Sequence, residues 1–266
     1  MALATTHETI SDVDTELRTG GSGPALLYLH GGHGLEGQDG FLDALAANFS
    51  VVAPALPGFG ETEWPRDLRT MGDLACFALE VCDHAGLAET TLVGSGFGGW
   101  IALDILVRGH KRFARAVLVD TLGVKLADHL TREISDLHGL DAGEVQRRLF
   151  HDPAVLPRDP AVLDDAALTA IARARETFTF FGWKPYMHDP SLRRWLHRID
   201  VPTLVAWGAE DGFVSPDLGR RIAAAIPGAR FELMPAAGHY PPIEQPQALS
   251  RLIQDFASES GGEAAA

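Results

Sequence analysis

The sequence predicts an α/β protein with a mostly parallel central sheet and helices on both faces. Short, continuous apolar runs are typical of strands covered on both sides. These runs alternate with segments of helical spacing along most of the chain, an order that favours parallel strands joined by helices. The 266 residues suffice for one large domain with a sizeable buried core.

Each predicted element follows from its own pattern. Residues 9–20 alternate weakly and predict an opening hairpin or edge strand that ends at the glycine-rich turn 20–24. Apolar runs predict strands at 25–29, 51–56, 91–93, 116–119, 203–207 and 231–233. Helical spacing predicts helices at 41–49, 74–85, 97–107, 218–225 and 243–256.

One segment breaks this alternation. Residues 121–196 contain no convincing strand, several helix-like pieces and five prolines. We interpret the segment as a helical cap inserted between core parts 1–120 and 197–257, and residues 258–266, small and polar, as a disordered tail. The aromatic residues of the cap either pack it onto the core or line an apolar pocket; they are Phe178, Phe180, Phe181, Trp183, Tyr186 and Trp195.

Composition excludes several classes of partner. The formal net charge of −14 disfavours nucleic acid and anionic membranes. No apolar run approaches the roughly 20 residues that cross a bilayer. The N-terminus does not resemble a secretory signal, and Cys76 and Cys82, six residues apart on one predicted helix, are interpreted as buried thiols that form no disulfide. We therefore expect a cytoplasmic protein that acts on a small molecule, as a monomer or homodimer.

The most informative motif is the stretch 92–100, Leu-Val-Gly-Ser-Gly-Phe-Gly-Gly-Trp. A strand running through small residues into a helix is the frame of a nucleophile elbow, which presents one side chain on a strained turn above the sheet. Gly94 and Gly98 fit the flanking small positions, so Gly96 occupies the tip and the nucleophile position is vacant. The alternative tip, Ser95, would put Phe97 where a small residue is needed.

An acid and a base follow two later strands. Asp211 lies on a turn after strand 203–207, and His239 comes 28 residues later, after the last strand. A carboxylate so placed can orient an imidazole and leave its second nitrogen as a general base. Glu210 is the competing acid, and the alternative for Asp211 and His239 is an ordinary turn residue and loop histidine.

A glycine-rich loop, 30–34, follows the first central strand. Its backbone can direct an amide at a developing oxyanion, and we assign the two donors to Gly32 and Phe97, with a turn lacking a catalytic purpose as the alternative. His30 and His33 lack companion ligands at metal spacing, so we expect neither metal nor cofactor. His30 is expected to support the loop by hydrogen bonding. The predicted pocket residues are His33, Phe178, Phe181, Trp183 and Tyr240.

Taken in order, these motifs and Pro57-Gly58-Phe59-Gly60 resemble the α/β-hydrolase superfamily, in its cap-bearing branch of esterases, C–C bond hydrolases and epoxide hydrolases. The resemblance covers nearly the whole chain and implies the α/β-hydrolase fold with its pocket. Gly96 departs from the Ser, Asp or Cys that the family carries at the tip.

Three functional hypotheses follow from this departure. The first is a hydrolase of a small apolar ester, thioester or C–C bond substrate in a form, natural or engineered, that lacks its nucleophile. The second is a lyase, cyclase or isomerase that uses the His239–Asp211 pair as a general base without a nucleophile. The third is a binding module that has kept the pocket and lost the reaction.

Overall fold

The computed structural model describes residues 3–128, 130–156 and 163–259. The strands are β1 (Ala4–Ile10), β2 (Val13–Gly20), β3 (Ala25–Leu29), β4 (Ser50–Pro54), β5 (Thr90–Ser95), β6 (Phe113–Val119), β7 (Thr203–Gly208) and β8 (Arg230–Met234). The helices are α1 (Asp39–Ala46), α2 (Met71–His84), α3 (Phe97–Leu106), α4 (Ala142–Leu149), α5 (Asp165–Gly182), α6 (Leu192–Trp195), α7 (Pro216–Ala225), α8 (Pro241–Glu244) and α9 (Pro246–Ser258).

The eight strands form one sheet in the order β1-β2-β4-β3-β5-β6-β7-β8. Strand β2 pairs antiparallel with β1 and β4, whereas all pairs from β4 through β8 are parallel. The predicted α/β architecture is therefore confirmed. Because parallel strands end at a common edge, the loops after β3, β5, β6, β7 and β8 meet on one side of the sheet, where ligands bind in open α/β folds.

The core lies on both faces of the sheet. Successive residues of β3 alternate between them: Leu27 and Leu29 join the larger cluster, which includes α2 and α3. Leu26 and Tyr28 join the second cluster, which includes α1 and α9. This alternation follows from the two-residue period of a strand, and it explains why the buried strands appear in the sequence as continuous apolar runs.

The opening hairpin begins earlier than predicted. Strand β1 starts at Ala4, and Ile10 pairs with Val13 across a two-residue turn. Both turn residues, Ser11 and Asp12, have positive φ angles of 47° and 65°. Such angles match the twist of paired strands in a tight hairpin.

Several helix boundaries differ from the predictions. Helix α2 begins three residues early, because Thr70 and Asp73 form a reciprocal capping box. Helix α1 ends at Ala46 instead of residue 49. The single helix predicted at 243–256 is wrong: Gln245, with φ −130° and ψ 49°, separates α8 from α9. A residue that precedes a proline, here Pro246, avoids the helical region.

Between β6 and β7 the described residues form α4, α5, α6 and a short 3-10 helix, Leu196–Arg198. The division into core and cap stays a prediction, and Pro157 and Pro160 lie outside the described residues. Of the predicted tail, residues 260–266 also lie outside them, whereas Ser258 is the last residue of α9. Cys82 is buried as expected, but Cys76 is exposed on the outer side of α2.

No helix in the described ranges combines the length and the apolar character needed to cross a membrane.

Candidate active site

The turn between β5 and α3 has the geometry expected of an elbow with its tip at Gly96. Gly96 has φ 49° and ψ −107°. This conformation is energetically unfavourable for residues other than glycine. A methyl group added at Gly94 would lie 2.6 Å from the Gly98 carbonyl oxygen, and one added at Gly98 would lie 2.1 Å from the Leu29 carbonyl oxygen. The strand and the helix are thus too close for side chains at the flanking positions.

His239 faces this tip. A methyl group built on Gly96 would lie 3.1 Å from His239 Nε2, and its next neighbours would be Gly31 Cα at 3.7 Å and His239 Cε1 at 3.8 Å. The second imidazole nitrogen therefore points at the place where an elbow carries its side chain. Because Gly96 carries none, no side chain of residue 96 lies against Nε2.

Asp211 orients this imidazole. Asp211 Oδ2 accepts a hydrogen bond from His239 Nδ1 over 2.8 Å, and both side chains are almost fully buried. The other oxygen, Oδ1, accepts from the amides of Phe213 and Val214, each at 2.8 Å. An ionised Asp211 requires the proton of a neutral imidazole to lie on Nδ1, so that Nε2 is the free basic nitrogen.

The competing candidates have other partners or none. Glu210 Oε2 accepts from the amide of Ala237 at 3.1 Å and so belongs to the neighbouring loop. Ser95 ends β5, is 1% exposed, and its Oγ makes no hydrogen bond to His239. The arrangement favours Asp211 as the orienting acid and disfavours Ser95 as a nucleophile.

The two predicted oxyanion donors lie at the same edge of the sheet. Phe97 is the first residue of α3, and Gly32 lies in the loop after β3. Within the described part of the chain, the amides of Phe97 and Gly32 donate to no protein acceptor, whereas the adjacent Gly98 amide donates to the His30 carbonyl at 2.9 Å. First-turn amides of a helix carry partial positive charge, so the Phe97 amide suits a developing anion.

His30 stabilises this loop as a buried neutral imidazole. Its Nε2 accepts from the Leu56 amide at 2.9 Å, and its Nδ1 lies 2.7 Å from the Gly31 carbonyl oxygen, to which it donates. Complete burial, the dominant effect, lowers the pKa of His30 to about 4. The expected supporting role of His30 agrees with these contacts.

A cavity of about 360 Å³ lies between the loop after β3 and helices α4 and α5. Three of the five predicted pocket residues line it, namely His33, Phe178 and Tyr240. Its wall also includes Phe213, whose ring packs edge-on against His239 at 4.9 Å between centroids, as the Tyr240 ring does at 5.1 Å. The cavity thus reaches the side chains that flank the imidazole.

The other two predicted pocket residues lie elsewhere. Phe181 is buried, with its ring 6.3 Å from that of Phe97 and 5.8 Å from that of Trp64, so it packs α5 onto the core. Trp183 is 56% exposed and rests edge-on against His138 at 4.9 Å. Phe178 and Phe181, three residues apart, share a face of α5, and both rings approach that of Phe97, at 5.6 Å and 6.3 Å, but only Phe178 reaches the cavity wall.

One buried acidic side chain near Asp211 and His239 was not identified as a site residue from the sequence. Asp120 follows β6 and is fully buried, and the predicted scheme used it only as the boundary of the cap. Its place after a strand that runs parallel to β5 and β7 is the signal that points to the same edge.

Asp120, Asp211 and His239 are the one group of three or more His, Cys, Asp or Glu residues in the described ranges whose ligating atoms lie within 4.8 Å of one another. Hydrogen bonds to each other and to backbone amides already occupy most of these atoms. Because His239 Nδ1 and both Asp211 oxygens already have partners, the group does not form an open metal site.

Comparisons with known proteins agree with this geometry. The family model described as "Alpha/beta hydrolase family" matches residues 26–252. The 2-hydroxy-6-oxononadienedioate/2-hydroxy-6-oxononatrienedioate hydrolase of Cupriavidus pinatubonensis is 27% identical, over 93% of this chain and 93% of its own. The 2-hydroxymuconate semialdehyde hydrolase of Pseudomonas sp. CF600 is also 27% identical, over 93% of this chain and 92% of its own.

Among solved structures, a membrane phospholipase A described as a bacterial virulence factor superposes with a TM-score of 0.81 at 24% identity, covering 96% of this chain and 86% of its own. This likeness shows the fold alone. The family match, in contrast, spans nearly the whole sheet and the elbow, from β3 to α9. The chain belongs to the alpha/beta hydrolase family.

Proposed function

We propose that this protein is a hydrolase-type enzyme in which His239, oriented by Asp211, acts as a general base directly on water or on the substrate. The observation that carries the proposal is the position of His239 Nε2, 3.1 Å from the point where a side chain of residue 96 would begin. No nucleophilic side chain intervenes between the base and a bound molecule. The reaction therefore proceeds without an acyl-enzyme on the elbow.

The chemistry follows from the sequence of contacts. Nε2 removes a proton from a water molecule, or from carbon or oxygen of the substrate, and the Asp211 carboxylate stabilises the imidazolium that forms. Negative charge then develops on a carbonyl oxygen. The amides of Gly32 and Phe97, which donate to no described residue, are available to stabilise that charge. In the hydrolytic case the water oxygen bonds to the carbonyl carbon, the bond from that carbon to the leaving group then breaks, and the imidazolium gives its proton to the leaving group.

The proposed substrate is a small carbonyl compound with a mostly apolar body. Rings and aliphatic side chains form most of the cavity wall, among them Phe178, Leu149 and Met187. The cavity volume of about 360 Å³ is at the lower end of the range for small-molecule sites. Since two relatives are named as hydrolases of unsaturated oxo compounds, a C–C bond between an acidic carbon and a carbonyl group is the preferred target.

The test compares the parent protein with His239→Ala and Asp211→Asn on activated 1,5-diketones and p-nitrophenyl esters. We expect steady turnover by the parent without an initial burst, and no mass increase of the protein in quenched reactions. Loss of the base should lower kcat/KM by a factor of about 10² to 10⁴, the range attributed to general-base catalysis. Equal rates for the parent and His239→Ala would contradict the proposal.

A second candidate is a covalent hydrolase whose only missing part is the nucleophile. The intact frame favours it, because the glycines at 94 and 98 and the amide of Phe97 are those that a nucleophile at the tip would need. The test is Gly96→Ser on p-nitrophenyl esters. A burst and an acyl adduct at the substituted position, with an inactive parent, would favour this candidate over the first.

One experimental outcome would contradict both proposed functions. If neither the parent nor Gly96→Ser turns over any substrate that binds in the cavity, then the protein retains ligands without transforming them. Ligand binding is therefore measured alongside turnover, by calorimetry with a non-hydrolysable ketone. Gly96→Ala serves as the matched control, since it adds the Cβ atom without a nucleophilic oxygen.

A further inference from the structure

We propose that Asp120 and Asp211 form a carboxylic acid–carboxylate pair in which Asp120 carries the proton, and that Asp120 is a positioning residue for the His239 base. This proposal rests on the proposed function, because the Asp120–Asp211 pair acts on the same base, His239.

The position of Asp120 is determined by two neighbouring strands of the sheet, β6 and β7. It follows β6 directly, its backbone amide donates to the Ala206 carbonyl at 3.0 Å, and its Oδ1 accepts from the Gly208 amide at 2.9 Å. Both partners belong to β7, the strand that leads to Asp211. Asp120 also has a φ angle of 44°, a conformation that is uncommon for residues other than glycine. Strained backbone held by surrounding contacts is concentrated at functional sites.

The surroundings of the second carboxyl oxygen of Asp120 indicate that Asp120 carries a proton. Oδ2 is buried, and no donor among the described residues reaches it. Carboxylate oxygens of Asp120 and Asp211 nevertheless lie within 4.8 Å of each other, and Asp211 is itself an acceptor of the bonds from His239, Phe213 and Val214. Two ionised carboxylates cannot hydrogen-bond to each other. A proton on Asp120 resolves the conflict, because the acid then donates to the Asp211 carboxylate.

The electrostatic surroundings favour this arrangement. Burial first, and the charge of Asp211 second, raise the pKa of Asp120 well above its usual range, and the more distant charge of Glu244 acts in the same direction. From the cap side, Arg148 directs its guanidinium to Glu144 and Ser135 and brings only its carbonyl oxygen to this turn, where it accepts from Gly212. His239 is thus the basic side chain in direct contact with the pair.

The consequence concerns the strength of the base. A donor on the outer side of Asp211 withdraws part of its charge, so the carboxylate stabilises an imidazolium less than it would alone. The bond also fixes the carboxylate plane against rotation about its last torsion angle. Asp120 therefore weakens the attraction of Asp211 for a proton on the imidazole and keeps the ring aimed at the tip, the arrangement that a general base needs before it accepts a proton.

The experiment uses Asp120→Asn and Asp120→Ala in the full chain, with readouts that do not require turnover. Infrared spectroscopy at neutral pH should show the carbonyl stretch of a buried carboxylic acid in the parent and its loss in Asp120→Asn. The pH midpoint of the His239 Hε1 resonance is followed by NMR. We expect Asp120→Asn, whose amide still donates, to keep this midpoint, and Asp120→Ala to raise it by about half a unit to one unit.

Two results would overturn the proposal. An ionised Asp120 would give no acid band, and its replacement by Asn would lower the midpoint by about one unit or more, because a negative charge beside the imidazolium is removed. A midpoint that stays unchanged in both variants would show that Asp120 acts only in packing. If Asp120→Ala does not fold, Asp120→Asn and the infrared band still decide. Because neither readout depends on catalysis, an inactive parent would contradict the proposed function without touching this inference.

Discussion

Acidification should destabilise this fold through His30, which connects the loop after β3 to the end of β4. Burial lowers the pKa of the imidazole from 6.5 to about 4. Between these values the unfolded chain binds a proton at His30 that the folded chain does not, so the contribution of His30 to stability is complete above about pH 6.5. It decreases as the pH falls and is lost near pH 4.

The size of the effect follows from the shift. A difference of about two and a half pKa units, at 1.36 kcal/mol each, corresponds to about 3 kcal/mol for this fully buried group. The structural cause is that protonation turns His30 Nε2 from a hydrogen-bond acceptor into a donor. Nε2 accepts from the Leu56 amide, and a protonated Nε2 would place two donors against each other. The loop that carries Gly31 and Gly32 should therefore detach first.

The assay is urea unfolding at pH 7.5, 5.5 and 4.5 for the parent and for His30→Gln, whose side-chain oxygen can still accept from the Leu56 amide but does not titrate. Carboxylates that titrate in both proteins cancel in the comparison. We expect the parent to lose about 2.5 kcal/mol more than the variant over this range, because protonation of the folded state is still incomplete at pH 4.5. Replacement of the exposed His197 by Gln should leave the pH dependence of the parent unchanged. Parallel stability curves for the parent and His30→Gln would refute the reasoning.

Three further substitutions test the fold and the attachment of α5. Gly98→Ala would place a methyl group 2.1 Å from the Leu29 carbonyl oxygen, so we expect a loss of 3 kcal/mol or more, at about the upper end of single-site effects, in chemical denaturation. Thr70→Ala removes the capping box of α2 and should cost about 1 kcal/mol in the same assay, with the exposed Thr131→Ala as a control of similar chemistry. Arg173→Met breaks the bonds from α5 to the carbonyl oxygens of Gly60 and Thr62 and should speed proteolysis of the segment 142–182 while the sheet stays protected; unchanged cleavage rates would contradict a docking role for that guanidinium.

Local pattern was sufficient for the order of the core elements, because the buried strands are apolar runs and helices such as α2, α7 and α9 bury one face. The errors occur where a specific backbone contact decides a boundary. Thr70 and Asp73 extend α2 through bonds to each other's backbone, and Pro246 divides the last helix in two. Neither effect changes hydrophobic periodicity, so a periodic pattern could not reveal it.

The residues of the candidate site also fall into those that a motif predicts and those that only tertiary packing determines. His239, Asp211 and Gly96 could be predicted because each lies in a motif, and the structure brings them together. Which of Phe178 and Phe181 lines the cavity could not be predicted, since the angle at which this helix meets the sheet is set by tertiary packing. The sequence therefore identified the aromatic content of the segment without identifying which rings face the cavity.

Asp120 shows a deeper limit of motif reasoning. No residue near it in the chain belongs to a recognisable motif, and its partners lie some 90 residues further on, at Gly208 and Asp211. What gives it a function is the parallel register of β6 and β7, which turns the ends of two distant strands into neighbours. A carboxyl placed there cannot reach water, so its proton becomes part of the site. In the proposed mechanism the position of β6 relative to β7 sets the strength of the His239 base, so substitutions that shift β6 relative to β7 should alter catalysis without changing His239 itself.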